Sequence, residues 1–218
     1  ILASEISVNL GLEHIHYTTL ANRIAIDNHQ KNTNTDFCYV MNQLHENTDI
    51  HNEPSPLISD ELHHIIQQNK DTLHNMIDYQ RDFLISYFGF KTLQKAYLKK
   101  VNGVIIERPQ HMWLRVALGI HMNDMEKVKE TYDLLSNLYF THATPTLFHA
   151  GAPYPQLSSC FLVGTHDSVT GIYKTITDVA NISKWAGGIG CHISNIRAKN
   201  SYIRKTGGTS DGILPMLK

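Results

Sequence analysis

Ser158-Ser159-Cys160 sets two hydroxyls directly before a thiol, at the head of the apolar run Cys160-Phe161-Leu162-Val163. Hydroxyl donors can hold an anion beside the sulfur, and a thiol so placed can act as a nucleophile or redox group if its thiolate is accessible. The competing reading is inert packing, the usual state of a cysteine in a buried strand. Upstream, Thr141-His142-Ala143-Thr144-Pro145-Thr146 offers a hydroxyl and a backbone N–H at Thr144, next to a proline that fixes φ. It reads either as a phosphate contact or as a connecting loop. Downstream, Gly187, Gly188 and Gly190 would let main chain approach a ligand closely, with one of them expected as a helix C-cap. Arg197, Lys199, Arg204 and Lys205, followed by Thr206-Gly207-Gly208-Thr209-Ser210-Asp211-Gly212, suit an anion-binding nest or a solvated loop. Together these residues place a thiol, hydroxyls, glycine turns and cations between Thr141 and Gly212. That combination suggests a phosphorylated ligand near a redox-capable cysteine.

Several chemistries are excluded by pattern. The glycines follow a helix and precede a strand, whereas Rossmann and P-loop fingerprints run strand, glycines, helix, and no GxxxxGK[ST] occurs. Fourteen histidines raise a metal hypothesis, but His14 and His16 are two apart, His63 and His64 are adjacent, and neither HExxH nor CxxC is present, so no metal site is expected. The three cysteines, Cys38, Cys160 and Cys191, are too few and odd in number for a secreted disulfide framework; a reducing, cytoplasmic setting is expected.

The elements that must position these groups follow from composition and spacing. The 218 residues, 42% apolar and 18% charged, suffice for one large domain or two small ones. Nineteen Lys+Arg against twenty Asp+Glu argue against a basic nucleic-acid groove, and no apolar run is long enough to span a bilayer. No secretory signal is visible, and the absence of an initiator Met and the end within an apolar stretch suggest an internal fragment. Residues 1–141 read as mainly helical. Tyr17, Leu20, Ala21 and Ile24 predict one helix face, and Phe37, Val40, Met41 and Leu44 another. Ser59 is expected to cap a helix carrying Asp60 and Glu61 in its first turn. An aromatic segment, Phe83 to Tyr97, reads as broken at Gly89. Asn102-Gly103 signals a hairpin, Pro109 the first turn of a helix, and Asn123 with Glu126 a capping box for a helix faced by Met125, Val128, Tyr132, Leu135 and Tyr139. Near residue 141 the texture changes. Apolar stretches Leu157–Val163 and Cys191–Ile196 flank a helix from Ser168 to Ala186, with Asp167 as its cap: strand–helix–strand, the minimal unit of a parallel sheet. A domain boundary is expected there, dividing 1–141 from 142–218.

The strings YFTHATPTLFHAG (139–151), QLSSCFLVG (156–164), AGGIGCHISNIRA (186–198) and SDGILPML (210–217) resemble the large subunit of class I ribonucleotide reductase, of the eukaryotic and large-DNA-virus type. YFGFKTLQKAYL (87–98) and ERPQHMWLRVALGIH (107–121) resemble the same subunit in the same order. The resemblance implies an α+β chain: the family's helical domain, without its ATP-cone, followed by the opening βαβ elements of a ten-stranded α/β barrel. It implies radical-based reduction of ribonucleoside diphosphates to deoxyribonucleoside diphosphates. Cys160 matches the first of two reductant cysteines; its partner, the thiyl cysteine and a loop Asn and Glu lie beyond residue 218 in the family. Thr144, Ser159 and Gly188 match substrate positions. Asp167, Ser168, Val169, Lys184, Arg197, Arg204 and Lys205 match the effector-nucleotide site at the dimer interface, which takes ATP or deoxynucleotides with Mg. Implied partners are a di-metal small subunit that supplies the radical, a second large subunit, and thioredoxin or glutaredoxin. The sequence departs from the family pattern in a segment one residue shorter after Cys160, in Arg204-Lys205, and in Cys191, which is expected to be buried and inert. Two other readings remain: a catalytically degenerate interaction module, and a helical domain that binds a phosphorylated ligand without chemistry.

Overall fold

A computed structural model describes residues 2–204 and 206–217. They divide into two compact units, Ile1–Pro155 and Gln156–Lys218. The first contains helices α1 (Leu2–Asn9), α2 (Ile15–Lys31), α3 (Phe37–His45), α4 (Asp60–Gln68), α5 (Lys70–Met76) and α6 (Tyr87–Thr92). A hairpin of β1 (Lys100–Val101) and β2 (Val104–Ile105) follows, then α7 (Pro109–His121), α8 (Met125–Ser136) and α9 (Thr144–His149).

Short-range chemistry starts and stops these elements. The side chains of Asp36, Ser59, Ser86 and Asp124 each accept from a backbone N–H three residues on, at 3.1–3.2 Å, supplying partners for the donors a helix start leaves unpaired. Asn102 (φ 50°) and Gly103 (φ 78°) make the tight turn of the hairpin, where both central residues need positive φ. Pro109 opens α7, the central helix, in which every residue from Pro109 to Leu118 is buried. Around it pack Phe37, Val40, Met41 and Leu44 of α3, Leu62, Ile65 and Ile66 of α4, and Val128, Tyr132 and Leu135 of α8.

Four expectations are corrected here. The buried face of α2 is Ala21, Asn22, Ala25, Ile26 and His29, while Tyr17 and Leu20 are exposed. Asn22 and His29 can face inward because distant backbone carbonyls, Ile85 O at 2.6 Å and Glu107 O at 3.2 Å, lie beside their side-chain nitrogens. Gly89 lies inside α6 and does not break it, since its N–H is taken by the Ser86 cap. Asp124, not Asn123, caps α8, and Tyr139 lies beyond that helix, exposed. The compact units part at 155, not 141, because α9 is bound to α7: Arg115 donates to the carbonyls of Leu147 and Ala150.

The second unit is β3 (Cys160–Gly164), α10 (Val169–Lys184) and β4 (Gly188–His192), with a small antiparallel pair, β5 (Tyr202–Ile203) and β6 (Gly208–Thr209). β3 and β4 are parallel, in the register Cys160↔Gly188 to Gly164↔His192. Ser168 rather than Asp167 caps α10, accepting from Gly171 N at 3.0 Å. β4 begins on the glycines, three residues before the expected Cys191. The left-handed residue after α10 is Ala186 (φ 60°), so no glycine serves as that C-cap. Gly187 is needed for space instead: a Cβ there would lie 2.7 Å from Ile182 and 2.8 Å from Phe161. Among the described residues no helix is long and apolar enough to cross a membrane.

Candidate functional site

The strand register assembles the thiol corner. Cys160 opens β3 directly beside Gly188 of β4, and Gly188 N donates to Ser159 O at 2.7 Å. Ser159 Oγ lies 3.6 Å from Cys160 Sγ. Side chains alternate along β3, so Phe161 and Val163 are half-buried while Cys160 and Leu162 are exposed on the opposite face. Phe161 lies against the Gly187 and Ile182 end of α10, which places Cys160 on the face turned away from that helix. A Cβ on Gly188 would sit 3.2 Å from Ser159 O, so glycine is what lets the two main chains close up beside the sulfur. Cys160, Ser159 and Gly188 are therefore brought together.

Cys191 is exposed, contrary to expectation. It lies opposite Val163, on the other face of the two-stranded sheet from Cys160. There it lines an apolar cleft of about 260 Å³ with Ile172, Thr175, Ile176 and Val179 of α10, a helix that flanks the thiol without covering it. The pleat thus separates Cys160 and Cys191, and both are free. Cys38, in the first unit, is half-buried; burial and the nearby Asp36 carboxylate push its thiol pKa up, away from reactivity.

A second group forms where α10 begins. Asp167 Oδ2 accepts from Arg197 Nε at 2.7 Å, and Arg197 Nη1 reaches Tyr202 O at 3.4 Å. Asp167, Ser168, Val169, Arg197 and Ile203 line two adjoining clefts of about 250 and 490 Å³, the second also bordered by Arg204. A carboxylate and a guanidinium side by side can address a sugar hydroxyl and a phosphate respectively. Lys184 is not part of this group. It ends α10, about 24 Å along the axis from Ser168, with its ammonium over the Trp185 ring. Lys205 lies outside the described residues. Thr144 belongs to the first unit, where it begins α9 and its Oγ1 lies 2.9 Å from the Tyr97 hydroxyl. Among the described residues no three His, Cys, Asp or Glu side chains gather as a metal-ligand set.

Sequence reasoning missed a buried polar cluster at the C-terminal end of α9, the helix that Thr144 begins. Arg115 and Glu107, 1% and 0% exposed, pair at 2.6 Å. Glu107 also accepts from Lys99 N, and Lys99 Nζ donates to Phe148 O. Burial first, then the Arg115 charge, lower the Lys99 pKa to about 8. A partial signal was present: Glu107 follows Val104-Ile105-Ile106 and Arg115 lies within Met112-Trp113-Leu114 and Val116-Ala117-Leu118, and charges in such surroundings are rarely buried unless paired.

A helical unit followed by a strand–helix–strand unit, whose first strand opens on an exposed thiol beside glycine main chain, defines an α-plus-α/β protein. Comparison with known families agrees with that class and narrows it. The family described as "Ribonucleotide reductase, all-alpha domain" matches residues 83–155, and "Ribonucleotide reductase, barrel domain" matches residues 158–218. Over its whole length the chain is 52% identical to ribonucleoside-diphosphate reductase large chain 2 of Saccharomyces cerevisiae, covering 25% of that protein. It is 52% identical to the large subunits of Arabidopsis thaliana and Monkeypox virus, again over all of this chain, covering 27% and 28% of them. The chain belongs to the ribonucleotide reductase large-subunit family. It spans about a quarter of the length of the curated relatives it matches.

Proposed function

We infer that this chain serves a ribonucleoside-diphosphate reductase large subunit, acting in radical-based conversion of ribonucleoside diphosphates to deoxyribonucleoside diphosphates. The observation that carries this reading is the thiol corner: Cys160 exposed, with Ser159 Oγ and the Gly188 main chain beside it, on the sheet face turned from α10. Cys160 and a second thiol each give up a hydrogen; the ribose C2′–O bond breaks, the oxygen leaves as water, a hydrogen takes its place, and an S–S bond forms. A thioredoxin or glutaredoxin dithiol then restores the pair. Cys191 lies on the wrong face to be that second thiol; the resemblance implies a partner cysteine that would lie beyond residue 218. Ser159, Gly188 and Thr144 would hold the ribose and diphosphate. In this reading β3 and β4 are the first strands of a ten-stranded barrel.

The Asp167, Ser168, Val169, Arg197 and Arg204 cleft, with Lys205, would take an ATP or deoxynucleotide effector together with Mg, Asp167 addressing the sugar and the cations the phosphates. Lys184 stands too far along α10 to join that site in its own chain, which supports a homodimer in which a second copy supplies it. The radical would come from a di-metal small subunit, and the setting would be cytoplasmic.

Cys160→Ser in the full-length large subunit, assembled with its small subunit, tests the reading. Turnover with a thioredoxin-type reductant should fall by about 10³-fold or more, because neither electron transfer nor the disulfide survives, while effector nucleotide binding is retained. Unchanged turnover would make Cys160 a bystander and sink the assignment.

A further inference from the structure

Helix α9 is six residues long, too short to hold its own shape by hydrogen bonding alone. It is held from outside at both ends. At its C-terminal end the carbonyls of Leu147, Phe148 and Ala150 accept from Arg115 Nη2 (3.2 Å), Lys99 Nζ (2.9 Å) and Arg115 Nη1 (3.1 Å). Glu107 holds both donors in place, accepting from Arg115 Nε at 2.6 Å and Nη2 at 3.3 Å, and from Lys99 N at 3.0 Å. The following chain lies against α7 with no gap: a Cβ on Gly119 would be 2.3 Å from Gly151 N and 2.5 Å from the Ala150 carbonyl carbon. At the N-terminal end the Tyr97 hydroxyl meets Thr144 Oγ1 at 2.9 Å, and the Tyr97 ring packs on Phe148 at 5.1 Å.

A buried ion pair is weak evidence for stability, since well-packed apolar groups of the same volume often do as well or better. Apolar groups cannot, however, supply donors to three carbonyls at the end of one short helix. The arrangement is therefore better explained by position than by stability.

We propose that Tyr97, Lys99, Glu107 and Arg115 form a positioning device for Thr144, fixing its hydroxyl for an oxygen of the substrate diphosphate. The proposal rests on the reading that Thr144 contacts that diphosphate. Either oxygen of the Tyr97–Thr144 pair can be the donor; the device uses the arrangement in which the Tyr97 O–H is given to Thr144 Oγ1, leaving the threonine proton free to be donated to the anion. Successive hydrogen bonds of this kind strengthen one another. Arg115 and Lys99 act at the opposite end, preventing the helix from sliding or fraying.

The test is a mutant cycle in the full-length large subunit assembled with its small subunit, read as kcat and KM for a ribonucleoside diphosphate. Thr144→Val should raise KM about tenfold, the worth of a hydrogen bond to a charged group. Tyr97→Phe, which removes one oxygen from a half-buried ring, should raise KM about fivefold with kcat within about twofold. In the Thr144→Val background Tyr97→Phe should have no further effect on KM, because the two act as one unit. Arg115→Lys, which keeps the buried charge but replaces the fork with a point donor, should raise KM in the same Thr144-dependent manner. If Thr144→Val leaves KM unchanged, the phosphate contact itself is wrong. If Thr144→Val raises KM but Tyr97→Phe does not, or Tyr97→Phe acts equally in both backgrounds, the contact stands and the positioning role is overturned.

Discussion

Glu107→Gln isolates the energetics of the cluster behind α9. The carboxylate is 0% exposed and accepts three hydrogen bonds, two from Arg115 and one from Lys99 N. Glutamine keeps one acceptor oxygen but turns an amide donor toward donors and leaves the Arg115 guanidinium, 1% exposed, without its counter-charge. Removing one partner of a buried pair costs about 3–5 kcal/mol, a large part of the roughly 5–15 kcal/mol that holds a typical domain folded. With a urea slope of about 2 kcal/mol per molar, that loss lowers the urea midpoint by about 2 M. Far-UV circular dichroism of the chain in urea reads the shift. The double variant Glu107→Leu/Arg115→Met removes both charges and should be less destabilised than the two single variants combined, though the Leu147 and Ala150 carbonyls then lose donors. A midpoint shift below about 0.5 M for Glu107→Gln, or strict additivity in the double variant, would show that the pair is not a coupled buried unit and refute the reasoning.

Acid should destabilise the chain before its carboxylates dominate. Burial lowers the pKa of His111 to about 3 and of His29 to about 4, from 6.5. Both rings bind fewer protons folded than unfolded between pH 6.5 and about 4, so stability should fall as pH drops through that window, and His111→Gln should flatten the urea-midpoint profile there. Ser168→Ala removes the α10 cap and should cost about 1 kcal/mol in the melting of the second unit. Asp167→Asn loosens a partly exposed pair, 31% and 36% exposed, and should change stability by less than about 1 kcal/mol. The same change should weaken effector-nucleotide binding by about tenfold, as measured by calorimetry on the full-length dimer, and unchanged binding would remove Asp167 from that site.

The legible parts of the fold were those set within about four residues. Ser59, Asn102-Gly103 and Pro109 act on their own backbone neighbours, and each stands where its chemistry predicts. The face of α3 is read correctly because its buried positions are all apolar. The face of α2 is not, because it buries Asn22 and His29, whose partners are 63 and 78 residues away. At the candidate site, the alternation along β3 was implicit in the strand pattern, but the pairing of Cys160 with Gly188 was not. Nor was the capture of Asp167 by Arg197 thirty residues later, which takes it from the capping role that its position before the helix suggested.

The amino-acid sequence by itself determined the Ser59 cap, the Asn102-Gly103 turn and the Pro109 helix start, since capping and turn geometry are set by local hydrogen bonds, and it carried family-specific strings that identify the reductase lineage. Only the tertiary structure decided which buried polar groups meet. Glu107, Arg115 and Lys99 converge on α9, and Cys160 and Cys191 part to opposite faces of one sheet. Desolvation makes each buried charge or amide depend on a partner that local pattern does not name, so those pairings appear only once the chain has packed.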